Sequence, residues 1–441
     1  MNVNVRQEKQ AEFVQQIEAY NRNGIARLSL RLGKTFIALQ TIKEDEVTLV
    51  CYPKIKIKTD AWEKDIKKFG YEHLNIVFST FAGLKKLVKE GKTFSYIICD
   101  EIHKLSAAQR ESLKQLRTGS ILGLTGTLRL GNQKGLKTAL NLDVIVNYDL
   151  KDAIKDKIVK DYRLFIHFEE LDIVNKTFQY KKRGELVWGT EREVYNFYTT
   201  QMDYFDEKTK KEGNTAQETL AATLGMKKYM GLRTNFLYNS PTLLRKSKEL
   251  VERFKNRKTL IFSLRTEVAD ELAEDVYHSK NINEIAFEEF KLSDNGHLST
   301  VNMISEGVTI TGLNTIVCHT ITSNTEDFQQ KLGRGLMLSE VNDELCEIHI
   351  ICLKNTQQEK WTDEACKSLE QDKISYVLAN DVIMSKVEWI KAANPDKELY
   401  LYQGGFCYLS GLNDQGYPEY KFLGDKGDRA YTLSFRKLIK L

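Results

Sequence analysis

The stretch IARLSLRLGKTFIALQTI, Ile25–Ile42, contains Gly33-Lys34-Thr35, the tripeptide that ends a nucleotide-binding P-loop. The complete pattern, G-x-x-x-x-G-K-[ST], asks for a glycine where this chain has Leu28. A phosphate cradle needs a strand, a turn offering main-chain N–H groups, and a helix whose N-terminal end faces the anion. "ARLSL" (26–30) reads as a short strand and a helix is expected from Lys34, so the order is right. In that setting Lys34 reaches the β- and γ-phosphates and Thr35 offers its hydroxyl to Mg²⁺.

Outward from this stretch, apolar β-branched runs alternate with helical ones. "EVTLVCY" (46–52), "NIVFSTF" (75–81), "FSYIICD" (94–100) and "SILGLTG" (120–126) read as strands. Between the first two a helix is expected, with Asp60 and Glu63 at capping-box spacing, Trp62, Ile66 and Phe69 on one face, and Gly70 ending it. Such alternation predicts a doubly wound parallel sheet, which binds ligands off the carboxyl ends of its strands. Asp100-Glu101-Ile102-His103 stands at such an end. Packing explains two adjacent acids there poorly, because burying unpaired charge is costly. An aspartate so placed can hold Mg²⁺ while the glutamate polarises an attacking water. Thr125 and Thr127 flank a glycine at the same edge, where their hydroxyls can meet the acidic motif and relay nucleotide state.

The rest of the 441 residues must form further units, since a single core rarely grows that large. "YRLFIHF" (162–168) looks like a strand leaving the first lobe, so a boundary is placed at 160/161. The block 185–255 is rich in tyrosine and methionine at helical spacing and shows no convincing strand. Alternation then returns with "KTLIFSL" (258–264), a helix over 266–277, "NEIAF" (283–287), "HLSTVNMI" (297–304), "LNTIVCHT" (313–320) and "EIHIICL" (347–353), all but the helix read as strands. From about 386 a small β-rich appendage is expected, with a hairpin around Gly404-Gly405. The seven cysteines include no C-x-x-C pair and mostly sit in apolar runs, which suggests reduced core residues and no zinc site. A net charge of +4 permits nucleic acid without demanding it. No run of 18 apolar residues and no apolar leader is present, so a cytoplasmic location away from membranes is expected, the host's cytoplasm if the chain is phage-encoded.

Gly-Lys-Thr, then Asp-Glu-Ile-His, then Thr-Gly-Thr, in this order, resembles the superfamily 2 DExH helicases. The resemblance covers roughly residues 5 to 365. It implies two RecA-like doubly wound lobes, here 1–160 and 161–385, with a helical insertion at 185–255 and the β appendage at 386–441. "RQEKQ" (6–10) resembles the motif that contacts adenine, which implies Arg6 and Gln10 at the base, with Gln7 as an alternative reader. "CYPKIKIKTDAWEKD" and "FSTFAGL" resemble motifs Ia and Ib, which puts Lys54, with Lys56 and Lys58 nearby, and Thr80 on the nucleic-acid backbone. "KTLIFSLRTEVADELAE" resembles motif IV and implies Ser263 as a further contact. "STVNMISEGVTITGLNTIV" resembles motif V, with Thr300, Glu306 and Gly307 as its landmarks, which implies Thr300 on the nucleic acid and Gly307 toward the nucleotide. "FQQKLGRGLM" resembles motif VI, in which Gln330 and Arg334 face the nucleotide across the cleft. His103 joins Thr125 and Thr127 in coupling. The chain departs from the family at Leu28 and at Met337, where a second arginine is usual. The run from motif V to motif VI looks most like bacteriophage recombination and branch-migration helicases of the UvsW type, as in a T5-like phage.

The resemblance therefore implies an ATP- and Mg²⁺-dependent DNA motor, expected to be monomeric. It would act on branched DNA (forks, D-loops or Holliday junctions) in replication, recombination or repair. Two alternatives stay open: a double-strand translocase that remodels protein–DNA complexes without separating strands, and a non-hydrolysing nucleic-acid binding module. RNA also remains open as the track. Tyr195, Tyr198, Tyr204 and Tyr229 are candidates for base stacking but more naturally pack at helical spacing. The lysines at 208, 210 and 211 read equally well as a DNA contact or a solvated helix end.

Overall fold

The structure is a computed structural model that describes residues 3–29, 31–128, 130–182, 184–301, 310–322, 325–336, 345–367, 369–378, 381–402, 405–413, 415–423, 430–433 and 438–441. At 3, 4, 56, 60, 325–327, 330 and 393 the backbone alone is described. Six strands form the first sheet: β1 (Gly24–Leu28), β2 (Thr48–Tyr52), β3 (Ile76–Thr80), β4 (Phe94–Asp100), β5 (Arg117–Thr125) and β6 (Val144–Tyr148). They are all parallel, in the order β3-β2-β4-β5-β1-β6. β2 is buried throughout and β4 at every position but Ser95, as covered parallel strands should be. β5 lies between β1 and β4, so the turn after β1 and the acidic end of β4 flank the end of one strand. The edge strand β6 was not anticipated from the sequence.

The helix expected to start at Asp60 begins earlier. Ile55–Ile57 is α-helical, Lys58–Trp62 forms a π turn, and Glu63–Phe69 continues as α-helix. Lys54 is the N-cap, Asp60 lies inside the π turn, and Gly70 ends the run at φ 74°. π turns recur at functional sites. This one carries Trp62 fully into the core, where its indole N–H donates to Asp100 Oδ2 at 3.1 Å.

The second sheet is built from β7 (Tyr162–Glu169), β10 (Lys258–Phe262), β11 (Val276–His278), β12 (Asn281–Ile282), β13 (Gly296–Thr300), β14 (Thr315–Cys318), β15 (Cys346–Leu353), β16 (Ile374–Val377) and β17 (Ile383–Ser385). Their order is β12-β11-β13-β10-β14-β15-β7-β16-β17, parallel except for the outermost pair at each edge. The chain thus enters the second lobe by the interior strand β7. Two expectations are corrected here. "NEIAF" (283–287) is not a strand but opens the helix Glu284–Leu292, capped by the Asn283 side chain. Its buried residues Ala286, Phe287 and Phe290 follow helical spacing, which a five-residue window ending at Phe287 cannot display. The helix expected over 266–277 stops at Leu272, and β11 follows.

Between β7 and β10 lies a hairpin of β8 (Phe178–Lys182) and β9 (Glu185–Gly189), then the helices Glu191–Thr209 and Ala216–Tyr238. The block read as strandless therefore contains β9. Its last helix, Pro241–Arg253, packs on β7, β14 and β15 of the second sheet. Among the four tyrosines, Tyr195 is buried, Tyr198 contacts the rings of Phe197 and Phe236, and Tyr229 stacks on Phe205. Tyr204 alone of these is exposed, and Lys208 lies over its ring. Lys210 pairs with Asp206 in its own helix.

After β17 the helix Lys386–Ala393 rests on the second lobe, with Trp389 stacked against Phe168 and Tyr376. β18 (Leu399–Tyr402), β19 (Gly405–Leu412), β20 (Pro418–Phe422) and β21 (Leu438–Lys440) close the fold as an antiparallel sheet in the order β20-β19-β18-β21. The expected hairpin is present, although Gly404 itself lies outside the described residues. All seven cysteines are buried free thiols. One contiguous cluster of buried apolar side chains runs through both lobes. Among the described residues, no helix is long and apolar enough to cross a membrane.

Candidate nucleotide site between the lobes

β1 ends on Leu28, which is wholly buried in the core. Leu28 is thus a strand residue, and the turn that follows contains Arg31 and Leu32 and ends on Gly33. Gly33 has φ 87° and ψ 49°. A Cβ there would lie 2.7 Å from Gln10 Nε2 and 3.4 Å from an Arg6 guanidinium nitrogen, so both conformation and space call for glycine. Gln10 Nε2 donates to the Leu32 carbonyl at 2.7 Å and bolts the N-terminal helix Val3–Ala19 to the loop. Beside this bolt is a cavity of about 450 Å³ lined by Arg6, Gln7, Gln10, Phe36, Asp65 and Phe69 among others. The Phe36 and Phe69 rings lie 4.3 Å apart between centroids. Arg6 and Gln10 therefore share a pocket with an aromatic wall next to the loop, and Gln7 lines it too. Burial lowers the pKa of Arg6, against the pull of Asp65. Burial, and then the nearby Arg6, lower that of Arg31 to about 10. Two mutually repelling, half-buried guanidiniums next to a glycine-hinged loop favour an anion.

At the end of β4, Asp100 is buried against Trp62. Glu101 then takes φ 53°, uncommon for any residue but glycine, and so leaves the line of the strand. Its Oε1 lies 3.4 Å from Lys34 Nζ and its Oε2 3.4 Å from His103 Nδ1. Burial acts to raise its pKa, but Lys34, then His103 and Lys104, outweigh that and hold the carboxyl below its usual range. His103 Nδ1 also lies 2.7 Å from Thr125 Oγ1. The Thr125 hydroxyl donates its single proton to the Thr127 carbonyl at 2.5 Å and accepts from the Thr127 N–H. It can therefore only accept from His103, which assigns the proton to Nδ1. Lys34, Glu101, His103, Thr125 and Thr127 form one polar chain across the ends of β1, β4 and β5.

The second lobe meets the loop after β1 with the helix Thr325–Gly335. A Cβ on Gly335 would lie 2.5 Å from Cys346 Sγ and 2.7 Å from Ile316 Cδ1, so glycine lets the helix lie close on its own sheet. Two residues earlier, the Gly333 carbonyl accepts from Arg31 Nε at 3.3 Å. The P-loop turn thus touches the helix one residue from Arg334, which is buried. A second link runs from the Lys160 N–H to the Leu336 carbonyl at 2.9 Å. Glu306, Gly307 and Met337 lie outside the described residues, as does the Gln330 side chain.

The expected nucleic-acid residues divide. Lys54 is exposed at the start of the helical run after β2. Thr80, paired with Tyr52 at the end of β3, accepts from the Gly83 N–H and caps the next turn while staying half-buried. Lys58 is paired with Glu63, and the Lys56 side chain is outside the described residues. Ser263 and Thr300, expected on the nucleic acid, are bonded within their own lobe. Ser263 donates to the Arg265 carbonyl and Thr300 to the Tyr277 carbonyl, and both are buried. They fasten strand ends, with no surface toward a ligand in this conformation. Sequence reasoning also missed Arg31, Trp62 and the Phe36–Phe69 wall. Only the position of Arg31, one residue from the Leu32-Gly33 turn, offered any signal.

Residues 48–130 match the family described as type III restriction enzyme, res subunit, and residues 242–336 match the helicase conserved C-terminal domain. The DNA 3'-5' translocase XPB2 of Sulfurisphaera tokodaii is 23% identical over 354 residues, covering 74% of this chain and 77% of that protein. Among solved structures, the ATP-dependent type ISP restriction-modification enzyme LlaBIII bound to DNA shares the fold at a TM-score of 0.53 and 12% identity. That alignment covers 87% of this chain and 32% of the enzyme, so this chain spans about a third of its length. The helicase domain of Pyrococcus furiosus Hef aligns more loosely, at a TM-score of 0.47 and 13% identity over 79% of this chain and 97% of that one. The res-subunit family matches the first lobe and the helicase C-terminal family the second, in the order expected from the sequence, so the chain is similar to helicase and translocase proteins across both lobes.

Proposed function

We propose that this chain is an ATP-driven motor that tracks along DNA and remodels branched junctions such as forks, D-loops and Holliday junctions. The observation that carries this reading is the meeting of Lys34 and Glu101 at the end of a parallel sheet, beside a loop whose Arg31 touches Gly333, the neighbour of Arg334 in the other lobe. In the proposed cycle the Phe36–Phe69 pocket takes the base beside Arg6 and Gln10. Gly33 and Lys34 hold the phosphates, Gln330 and Gly307 approach from the second lobe, and Arg334 meets charge developing on the γ-phosphate. An arginine supplied across an interface makes turnover depend on lobe closure. Glu101, kept ionised by Lys34, orients and deprotonates the attacking water, while His103 and Thr125 tie its position to the Thr127 turn.

Thr35 and Asp100 would hold Mg²⁺, which when bound neutralises phosphate charge. Among the described residues, no cluster of three or more histidine, cysteine or acidic side chains stands ready to hold a metal. Mg²⁺ bound through one carboxylate, a hydroxyl, phosphates and water needs none. Lys54 and Thr80 would meet nucleic acid on the first lobe. Contacts there would be with the backbone, so binding should weaken steeply with salt and show little sequence preference.

A second reading, a translocase that moves on duplex without separating it, is favoured by the likeness to the DNA 3'-5' translocase XPB2. The branch-migrating reading is the one nearest the phage recombination helicases. ATPase assays with single-stranded, forked and four-way DNA, and with RNA, test the motor. Turnover should rise with DNA. Glu101→Gln should lower it by about 10²–10⁴-fold while nucleotide binding persists. Strand-displacement and triplex-displacement assays then separate the two readings. Absence of DNA-stimulated turnover would leave a passive binding module.

A further inference from the structure

We propose that Arg31 is a cross-cleft tie: the loop that holds the phosphates reaches with its own guanidinium to the helix of the opposite lobe, so that loop conformation and lobe closure move together. This rests on the reading of the crevice as an ATP site. It adds a positioning residue that acts through the helix Thr325–Gly335 on Arg334.

Three observations carry it. Arg31 has φ 67°, a left-handed conformation that glycine adopts without strain and a side chain does not. A strained arginine where glycine would be relaxed points to use of the side chain. That side chain turns across the crevice, where Nε donates to the Gly333 carbonyl at 3.3 Å, a contact between residues 302 apart in sequence. Arg31 also stands within electrostatic reach of Arg6, and the two repel. A polyanion entering the loop would relieve that repulsion and draw the guanidinium toward itself. Arg31 would then link two partners at once, nucleotide phosphates in one lobe and main chain in the other, with charge-assisted hydrogen bonds to the first. Because Gly333 precedes Arg334, any shift of the tie moves the helix that presents Arg334.

Arg31→Gly is a clean probe, since it keeps the left-handed turn while removing the side chain that carries the guanidinium. Arg31→Lys restores a charge and a donor. All native cysteines are buried, so cysteines introduced at the exposed positions Thr93 and Ser279 of the full chain can carry a fluorescent donor and acceptor, one on each lobe. Without nucleotide, Arg31→Gly should widen the distribution of inter-lobe distances while the protein melts no lower than wild type. With saturating DNA it should lower kcat about tenfold and change KM for ATP by less than about twofold, with partial recovery in Arg31→Lys. Wild-type distances and kcat in Arg31→Gly would overturn the tie, and so would a rise in KM alone, which would make Arg31 a nucleotide contact only. If the wild-type chain shows no turnover that Lys34→Ala abolishes, the motor reading fails by itself, and the tie stands or falls on the nucleotide-free distances.

Discussion

His319 is wholly buried just past the end of β14, with Ser247 Oγ 2.7 Å from Nδ1 and the Tyr238 carbonyl 3.4 Å from Nε2. Burial lowers its pKa to about 4. Burial, and then His349, lower that of His167 to about 2. Unfolded histidines take up protons near pH 6.5, whereas these folded ones resist until well below. Stability contributed by His319 is therefore complete above about pH 6.5 and declines as the pH falls toward about 4, and His167 extends the loss further down. Over its window His319 accounts for about 3 kcal/mol at most. Urea unfolding at intervals from pH 7 to 4 should show wild type losing stability more steeply than His319→Asn. Equal slopes would mean that the unfolded chain does not gain the expected proton. Glu101 has the same sign, because its depressed pKa makes acid remove its pairing with Lys34. At this scale, Lys34 and Glu101 could be paired on paper because a strand–turn–helix and a strand end fix where such groups point. Arg31 and Trp62 could not, since their partners come from the other lobe and from another strand. The main-chain partners of Ser263 and Thr300 were not legible either, because a hydroxyl at a strand end says nothing about which neighbour it meets.

Most buried strands of both sheets were readable as elements because a covered parallel strand leaves a short apolar β-branched run, but β6, β11 and β16 were not read. Elements failed where the pattern was shared or interrupted. The five residues 283–287 fit a strand until Phe290 completes a helical face. β9 pairs only with β8 in a two-stranded ribbon and leaves Leu186 and Trp188 exposed, so it lacks a strand's usual burial signature. The π turn at Lys58–Trp62 displaced the expected cap. How the helical insertion is fastened was likewise invisible. Glu191, in the first turn of the helix Glu191–Thr209, is buried and accepts from the Asp172 N–H, Ser240 Oγ, and the Thr242 N–H and Oγ1. One carboxyl group thereby joins the starts of two helices to the exit from β7. Glu191→Ala should cost about 3 kcal/mol, because several buried donors lose their acceptor together. It should also open the segment between β7 and β10 to limited proteolysis before the rest of the chain. Cleavage unchanged from wild type would show that the insertion is held by its aromatic packing instead.

At the scale of the whole molecule, the two lobes are joined by more than a linker. The apolar cluster that crosses between them, the Arg31–Gly333 bond and the Lys160–Leu336 bond make the crevice an internal interface. A ligand that binds this crevice and not the unfolded chain must stabilise both lobes together. At a concentration about a hundredfold above its Kd, Mg²⁺-ATP would add about 2.7 kcal/mol. For 441 residues, whose unfolding entropy is large, this corresponds to a rise in Tm of only about 3 °C. A differential scanning experiment should show that shift in wild type and in Glu101→Gln, which keeps the phosphate cradle, and lose it in Lys34→Ala. Because the crevice is shared, the transition assigned to the lobes should move as one. If only part of that transition shifted, the nucleotide would be held by one lobe alone, and Arg334 would not stand opposite Lys34 in the bound state.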